Sequence, residues 1–194
     1  MPELRIARSE LILGAGAGGR SERAQSLAAH WMAAAPQHRA VCIDTAQPWD
    51  DEWRSLVERC RRDPSPAARR LPRLEQPTEL AHALGAHSRP DTLIVVDCLS
   101  FWLTASLMHA MLPDEAGEHP PSRLPRLRMI DAVNACAGPL VLVGNRVDAG
   151  GLEGQPDLRR LLETLDTLEQ QAVMACERVT LMSCGMPLTL KDRG

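Results

Sequence analysis

The sequence predicts an α/β fold with a mostly parallel central sheet flanked by helices. Two observations carry that reading. Short apolar runs at 10–13, 40–43, 92–96, 139–143 and 179–182 do not alternate with polar residues, which is the pattern of strands buried on both faces. Between them, 22–35, 51–62, 78–86, 101–111, 127–136 and 157–175 carry helical spacing. Strands alternating with helices imply parallel pairing through crossover helices.

Each element has a local reason. The strand runs are short and rich in β-branched residues, as in Leu93-Ile94-Val95-Val96. In the last helical stretch, Leu158, Leu161, Leu162, Leu165 and Leu168 recur at i, i+3/i+4 and predict a face turned to the core. Two Pro- and charge-rich stretches, 63–77 and 113–125, read as loops or flaps and not as linkers, because strands continue on both sides. Arg69, Arg70 and Arg73 in the first of them are expected to be solvated, with contact to a nucleotide phosphate as the alternative. A small hairpin is expected around 187–191. The chain of 194 residues is long enough for a buried core and is read as one domain over 1–194.

Composition narrows the function. Hydrophobic residues make up 44% and the formal net charge is -3, which argues against disorder and against a general nucleic-acid binder. With no Tyr and a single Phe, there is no aromatic platform for stacking bases. The six Cys are dispersed without a C-x-x-C pair, and the six His form no ligand cluster; these thiols read as small core residues of a reducing compartment. The first ten residues mix charges, and no apolar run approaches membrane-spanning length. No leader and no membrane span are therefore expected, and the cytoplasm is the expected location.

The chemistry concentrates after the first strand, in Gly14-Ala15-Gly16-Ala17-Gly18-Gly19-Arg20-Ser21. This is the G-x-x-x-x-G-K-[ST] phosphate loop with Arg in place of Lys. Glycines let successive N–H groups curl around a phosphate, and the following helix presents its positive end to the same anion. Arg20 is placed to reach the outer phosphates, and Ser21 to offer its hydroxyl to Mg²⁺. The fold class is accordingly P-loop NTPase-like. A Gly-rich strand-to-helix turn without a ligand is the bland alternative.

Several further segments, in order, resemble one family: the bifunctional adenosylcobinamide kinase/adenosylcobinamide-phosphate guanylyltransferases of cobalamin biosynthesis. The opening Glu10-Leu-Ile-Leu-Gly14 and Ser21-Glu-Arg-Ala-Gln-Ser-Leu-Ala28 look like the family's start. Ile43-Asp-Thr45-Ala46-Gln-Pro-Trp-Asp50-Asp-Glu52 is similar to its A-T-A-x-x-x-D-x-E, and Val95-Val-Asp97-Cys98-Leu-Ser-Phe-Trp102-Leu103-Thr104 to its V-D-C-L-T-x-W-L-T-N. Val141-Leu-Val-Gly144-Asn145-Arg146-Val147 resembles V-L-V-S-N-E-V, and Gly185-Met-Pro-Leu-Thr-Leu-Lys191 matches G-x-P-x-x-x-K. The resemblance runs from about residue 10 to 191.

It implies phosphorylation of the aminopropanol hydroxyl of adenosylcobinamide with ATP or GTP, then transfer of GMP from GTP. It implies that Gly14, Ala15, Gly16, Ala17, Gly18, Gly19, Arg20 and Ser21 hold phosphates and that Asp44, Thr45 and Ala46 line the site. Arg61 and Glu75 are implied to contact nucleotide, and Asp97 to meet Mg²⁺ with Ser21 at a strand end; a helix cap is the bland role for Asp97. A homo-oligomer, possibly a trimer, is implied too. The family's GMP-accepting His falls on Cys60, read as an inert residue in preference to a thiolate nucleophile. Further departures from the resembled motifs are Leu56 for Arg, Arg146 for Glu and Asp148 for Gly in N-E-V-G-x-G, Ala105 for Asn, and Glu169 for the Asn of a late N-Q. Two other functions fit the residues: a nucleotide-binding relative without turnover, and a GTPase-like switch. The switch reading comes from Asn145-Arg146-Val147-Asp148, similar to N-K-x-D, but Asp97-Cys98-Leu99-Ser100 lacks the Gly of D-x-x-G.

Overall fold

The computed structural model describes residues 4–15, 19–45, 71–75, 79–111, 125–145 and 156–194. In chain order the elements are β1 (Ser9–Gly14), α1 (Arg20–Ala34), β2 (Arg39–Asp44), β3 (Arg73–Glu75), α2 (Leu80–His87) and β4 (Thr92–Asp97). They continue with α3 (Leu99–Met111), α4 (Pro125–Ala135), β5 (Leu140–Val143), α5 (Pro156–Ala175), β6 (Arg178–Ser183) and β7 (Met186–Asp192). One sheet of order β3-β2-β4-β5-β1-β6-β7 contains all seven strands. Every neighbouring pair is parallel except β6 with β7.

The unalternating strand runs have the cause expected of them. Along β1, Leu11 and Leu13 enter one apolar cluster and Ile12 the other. The first cluster takes Leu80 and Leu84 of α2, Trp102 and Leu103 of α3, Met129 and Val133 of α4, and Leu165 and Leu168 of α5. The second takes Ala24, Leu27 and Ala28 of α1. Among the described helices, α1 therefore covers one face and α2 to α5 the other. Four described cysteines, Cys42, Cys98, Cys136 and Cys176, are buried as core residues, and Cys184 is exposed.

Three details differ from the sequence expectation. Residues 73–75 form the edge strand β3 and not a loop, because pairing with β2 satisfies backbone groups that local sequence does not advertise. Arg73 is accordingly engaged and not merely solvated. Helices α4 and α5 begin on Pro125 and Pro156, earlier than the apolar spacing starts, since Pro suits a first helical position that needs no N–H. The hairpin exists, but its turn is Cys184–Gly185, ahead of the expected 187–191, which lies inside β7. The expected helix at 51–62 and most of the 113–125 stretch lie outside the described residues. No described helix is long and apolar enough to cross a membrane.

One charged cluster sits inside this apolar frame. Glu10 on β1 is 1% exposed. Its Oε1 accepts hydrogen bonds from Arg23 Nε of α1 at 3.0 Å and Thr180 Oγ1 of β6 at 2.7 Å. Arg178 Nη1 stands 4.0 Å from Oε2, and Arg178 Nη2 donates to Asp192 of β7 at 2.7 Å. One carboxylate thus links β1, α1 and β6, with β7 joined through Arg178. Replacing it leaves two largely buried guanidinium groups without their shared anion. Glu10→Ala is expected to lose about 3–5 kcal/mol of unfolding free energy, read as a lowered urea midpoint with little change in slope.

Candidate nucleotide-binding site

The stretch predicted as a phosphate loop lies between the carboxyl end of β1 and the start of α1. Gly14 closes β1 and Ala15 follows it; Gly16, Ala17 and Gly18 lie outside the described residues. Gly19 has φ 83, a left-handed conformation that favours glycine, and it turns the chain into a helix starting at Arg20. The first turn of α1 has no side-chain cap hydrogen bond at Gly19. Its amide end carries the partial positive charge that anions seek.

The two predicted loop side chains go to different strands. Ser21 Oγ donates to Asp97 Oδ1 at 3.1 Å, reaching from α1 to the end of β4. Arg20 Nη1 donates to the carbonyl oxygen of Gly144, just past β5, at 2.6 Å. Asp97 pairs in register with Asp44 on β2, and Asp44 with Glu75 on β3. Asp44, Glu75 and Asp97 therefore form one transverse row at the carboxyl edge of three adjacent strands. Thr45 extends that edge: its N–H donates to the Asp97 carbonyl at 3.2 Å and its hydroxyl to the Cys98 carbonyl at 2.6 Å. The Asp97–Cys98 peptide bond is cis. Ala46, Cys60 and Arg61 lie outside the described residues.

Three groups at this edge were not predicted as site residues. Arg73 donates to Asp44 Oδ2 at 3.1 Å. Gly144 receives Arg20, and the buried Glu169 of α5 lies against Gly144. Glu169 is marked in the sequence only as a departure from a resembled motif and Arg73 only as a loop charge, since each contact depends on strand order or on helix placement.

Comparison with known proteins places the chain in a family. The family model for cobinamide kinase/cobinamide phosphate guanyltransferase matches residues 10–190. The chain belongs to that family. The bifunctional adenosylcobalamin biosynthesis protein CobP of Pseudomonas aeruginosa is 33% identical over 186 residues, spanning 94% of this chain and 96% of its own. A solved protein from Pyrococcus horikoshii OT3 aligns over 98% of this chain and 89% of its own, with TM-score 0.49 and 10% identity, a likeness too distant to bear on function.

In this cobinamide kinase/guanyltransferase family member, the electrostatics centre on Asp97. Burial pushes its carboxyl above the ordinary value of 3.8, the hydrogen bond from Ser21 opposes, and the Asp44 charge raises it further. Arg73 and Arg20 act in the lowering direction. Next to it, burial pushes the Cys98 thiol up to about 11, so Cys98 is no nucleophile at neutral pH. Among the described residues no group of three His, Cys, Asp or Glu could hold a metal. The pair Ser21–Asp97 instead offers two hard oxygens, which suits Mg²⁺ that takes its remaining ligands from phosphates and water.

A carboxylate held above its ordinary pKa costs stability once ionised. The cost is absent below pH 3.8 and grows as pH rises through the folded-state value. Asp97→Asn removes that cost and keeps an oxygen to accept from Ser21. At neutral pH it is expected to hold or raise the ligand-free thermal midpoint while metal-dependent phosphoryl transfer falls about a hundredfold. A lowered midpoint with activity retained would make Asp97 a helix cap and nothing more.

Proposed function

We propose that this chain is a cobinamide kinase and cobinamide-phosphate guanylyltransferase, acting on adenosylcobinamide with ATP or GTP for the first step and GTP for the second. The observation that carries the proposal is the Ser21–Asp97 contact, which joins the phosphate loop to the strand-end carboxylates. Family membership over 10–190 supports the reaction class, and CobP, by its name, is bifunctional.

In the kinase step the chain's contribution is positioning and charge. Amides of the loop and of the first turn of α1 surround the outer phosphates, and Arg20 offsets their charge. Ser21 and Asp97 would hold Mg²⁺, which supplies neutralisation of the phosphate oxygens when bound. The cobinamide hydroxyl oxygen bonds to the γ-phosphorus, the bond to the departing nucleoside diphosphate breaks, and the hydroxyl proton leaves to a carboxylate of the Asp44–Asp97 row. In the second step an oxygen of the new phosphate bonds to the α-phosphorus of GTP, and pyrophosphate leaves. Transfer directly between substrates needs no covalent role for Cys60.

Incubation with adenosylcobinamide, Mg²⁺ and either nucleotide, followed by mass analysis of substrate and protein, tests this. The expected products are cobinamide phosphate and, with GTP, cobinamide-GDP, with no GMP adduct on Cys60. Unchanged cobinamide beside measurable nucleotide binding would favour a binding relative without turnover. A GMP mass gain on the protein that vanishes in Cys60→Ala would make the thiol the nucleophile.

A further inference from the structure

Arg20 does not stand alone in the phosphate loop. Its stem lies over Gly14, where a Cβ would sit 3.1 Å from Arg20 Cδ and 3.3 Å from Cγ. Its Nη1 ends on the carbonyl oxygen of Gly144 at 2.6 Å. The same residue's N–H donates to the Ile12 carbonyl of β1 at 2.8 Å, so Gly144 is fixed on one side to the strand that launches the loop. On its other side there is no room for a side chain: a Cβ at 144 would meet Leu13 Cδ2 at 2.7 Å and Glu169 Oε1 at 3.1 Å. Glu169 is 8% exposed. A guanidinium and a buried carboxylate thus flank one backbone residue that is itself locked to β1.

We propose that Gly144 and Glu169 are positioning residues that set where the Arg20 guanidinium meets the nucleotide phosphates. Their role rests on the nucleotide-binding reading above. An ammonium is a point charge, whereas a guanidinium is a planar fork of five donors. The fork can spend one nitrogen on the Gly144 carbonyl and present others to an anion in a fixed plane. Glu169 holds the cation to the β5 side by charge, and a glycine at 144 lets carboxylate and carbonyl approach. Arg20 and Glu169, far apart in sequence, both reach Gly144.

Calorimetric titration with MgATP and MgGTP, beside ligand-free thermal midpoints, tests the unit in the full chain. Arg20→Lys restores the usual phosphate-loop residue, yet it is expected to weaken nucleotide binding about tenfold. Glu169→Gln, nearly isosteric, is expected to weaken binding several-fold while the midpoint holds. The double variant Arg20→Lys/Glu169→Gln is expected to bind less than about threefold more weakly than Arg20→Lys alone, a non-additivity typical of residues that act as one unit. Lys at position 20 binding as well as Arg would overturn the proposal, as would a Glu169→Gln variant whose midpoint falls with affinity unmoved. If the parent itself binds neither nucleotide, the proposed function fails with it; an unaffected Arg20→Lys removes only the positioning roles.

Discussion

A sheet covered by helices on both faces leaves polar groups little place except the strand ends, and this constraint shapes the molecule. Burying a charge without partners is expensive. Leu11, Ile12, Ile43, Ile94, Val96 and Leu142 accordingly fill the middle of the sheet and are almost fully buried. Asp44, Glu75 and Asp97 sit together where β2, β3 and β4 finish, and Ser21 at the start of α1 reaches that same edge. The site is the place where an apolar scaffold can afford polarity.

The strand order gives that edge its particular form. One strand, β5, separates β1 from β4. The loop following β1 must therefore span β5 to meet the strand-end aspartate, and α1 does so by lying across the sheet face with Ser21 at its first turn. Arg20, one residue earlier, reaches only as far as the intervening strand and is caught at Gly144. Neighbouring side chains on one helix turn are thus tied to two successive strands. At the amino-terminal half of β1, Glu10 makes the opposite compromise. It is a carboxylate within the frame, made tolerable by Arg23, Thr180 and Arg178.

Motif residues divide between these two jobs. Ser21 and Asp97 meet at the open edge. Lys191, which closes the G-x-P-x-x-x-K pattern, instead donates to the carbonyl oxygens of Val173 and Cys176 at the end of α5, away from that edge. There an ammonium caps orphan carbonyls and faces the negative end of the helix dipole. Gly185 of the same pattern has φ 77 and turns the hairpin. Part of the family likeness therefore records how the chain folds and not what it does.

The sequence by itself determined the two-faced burial of the strands, the alternation with helices, the glycine-rich passage from β1 to α1 and the carboxylate closing β4. Each is written in local spacing: apolar runs, helical periodicity, and glycines placed between a strand and a helix. Only the tertiary structure decided that Asp44, Glu75 and Asp97 share a row, that Arg73 pairs with Asp44, and that Arg20 and Glu169 both reach Gly144. These contacts depend on which strands become neighbours and in what register, and Arg20 and Gly144 are joined across more than a hundred residues of chain. Long-range pairing is chosen by the burial of whole faces, a collective quantity that no short stretch of residues encodes.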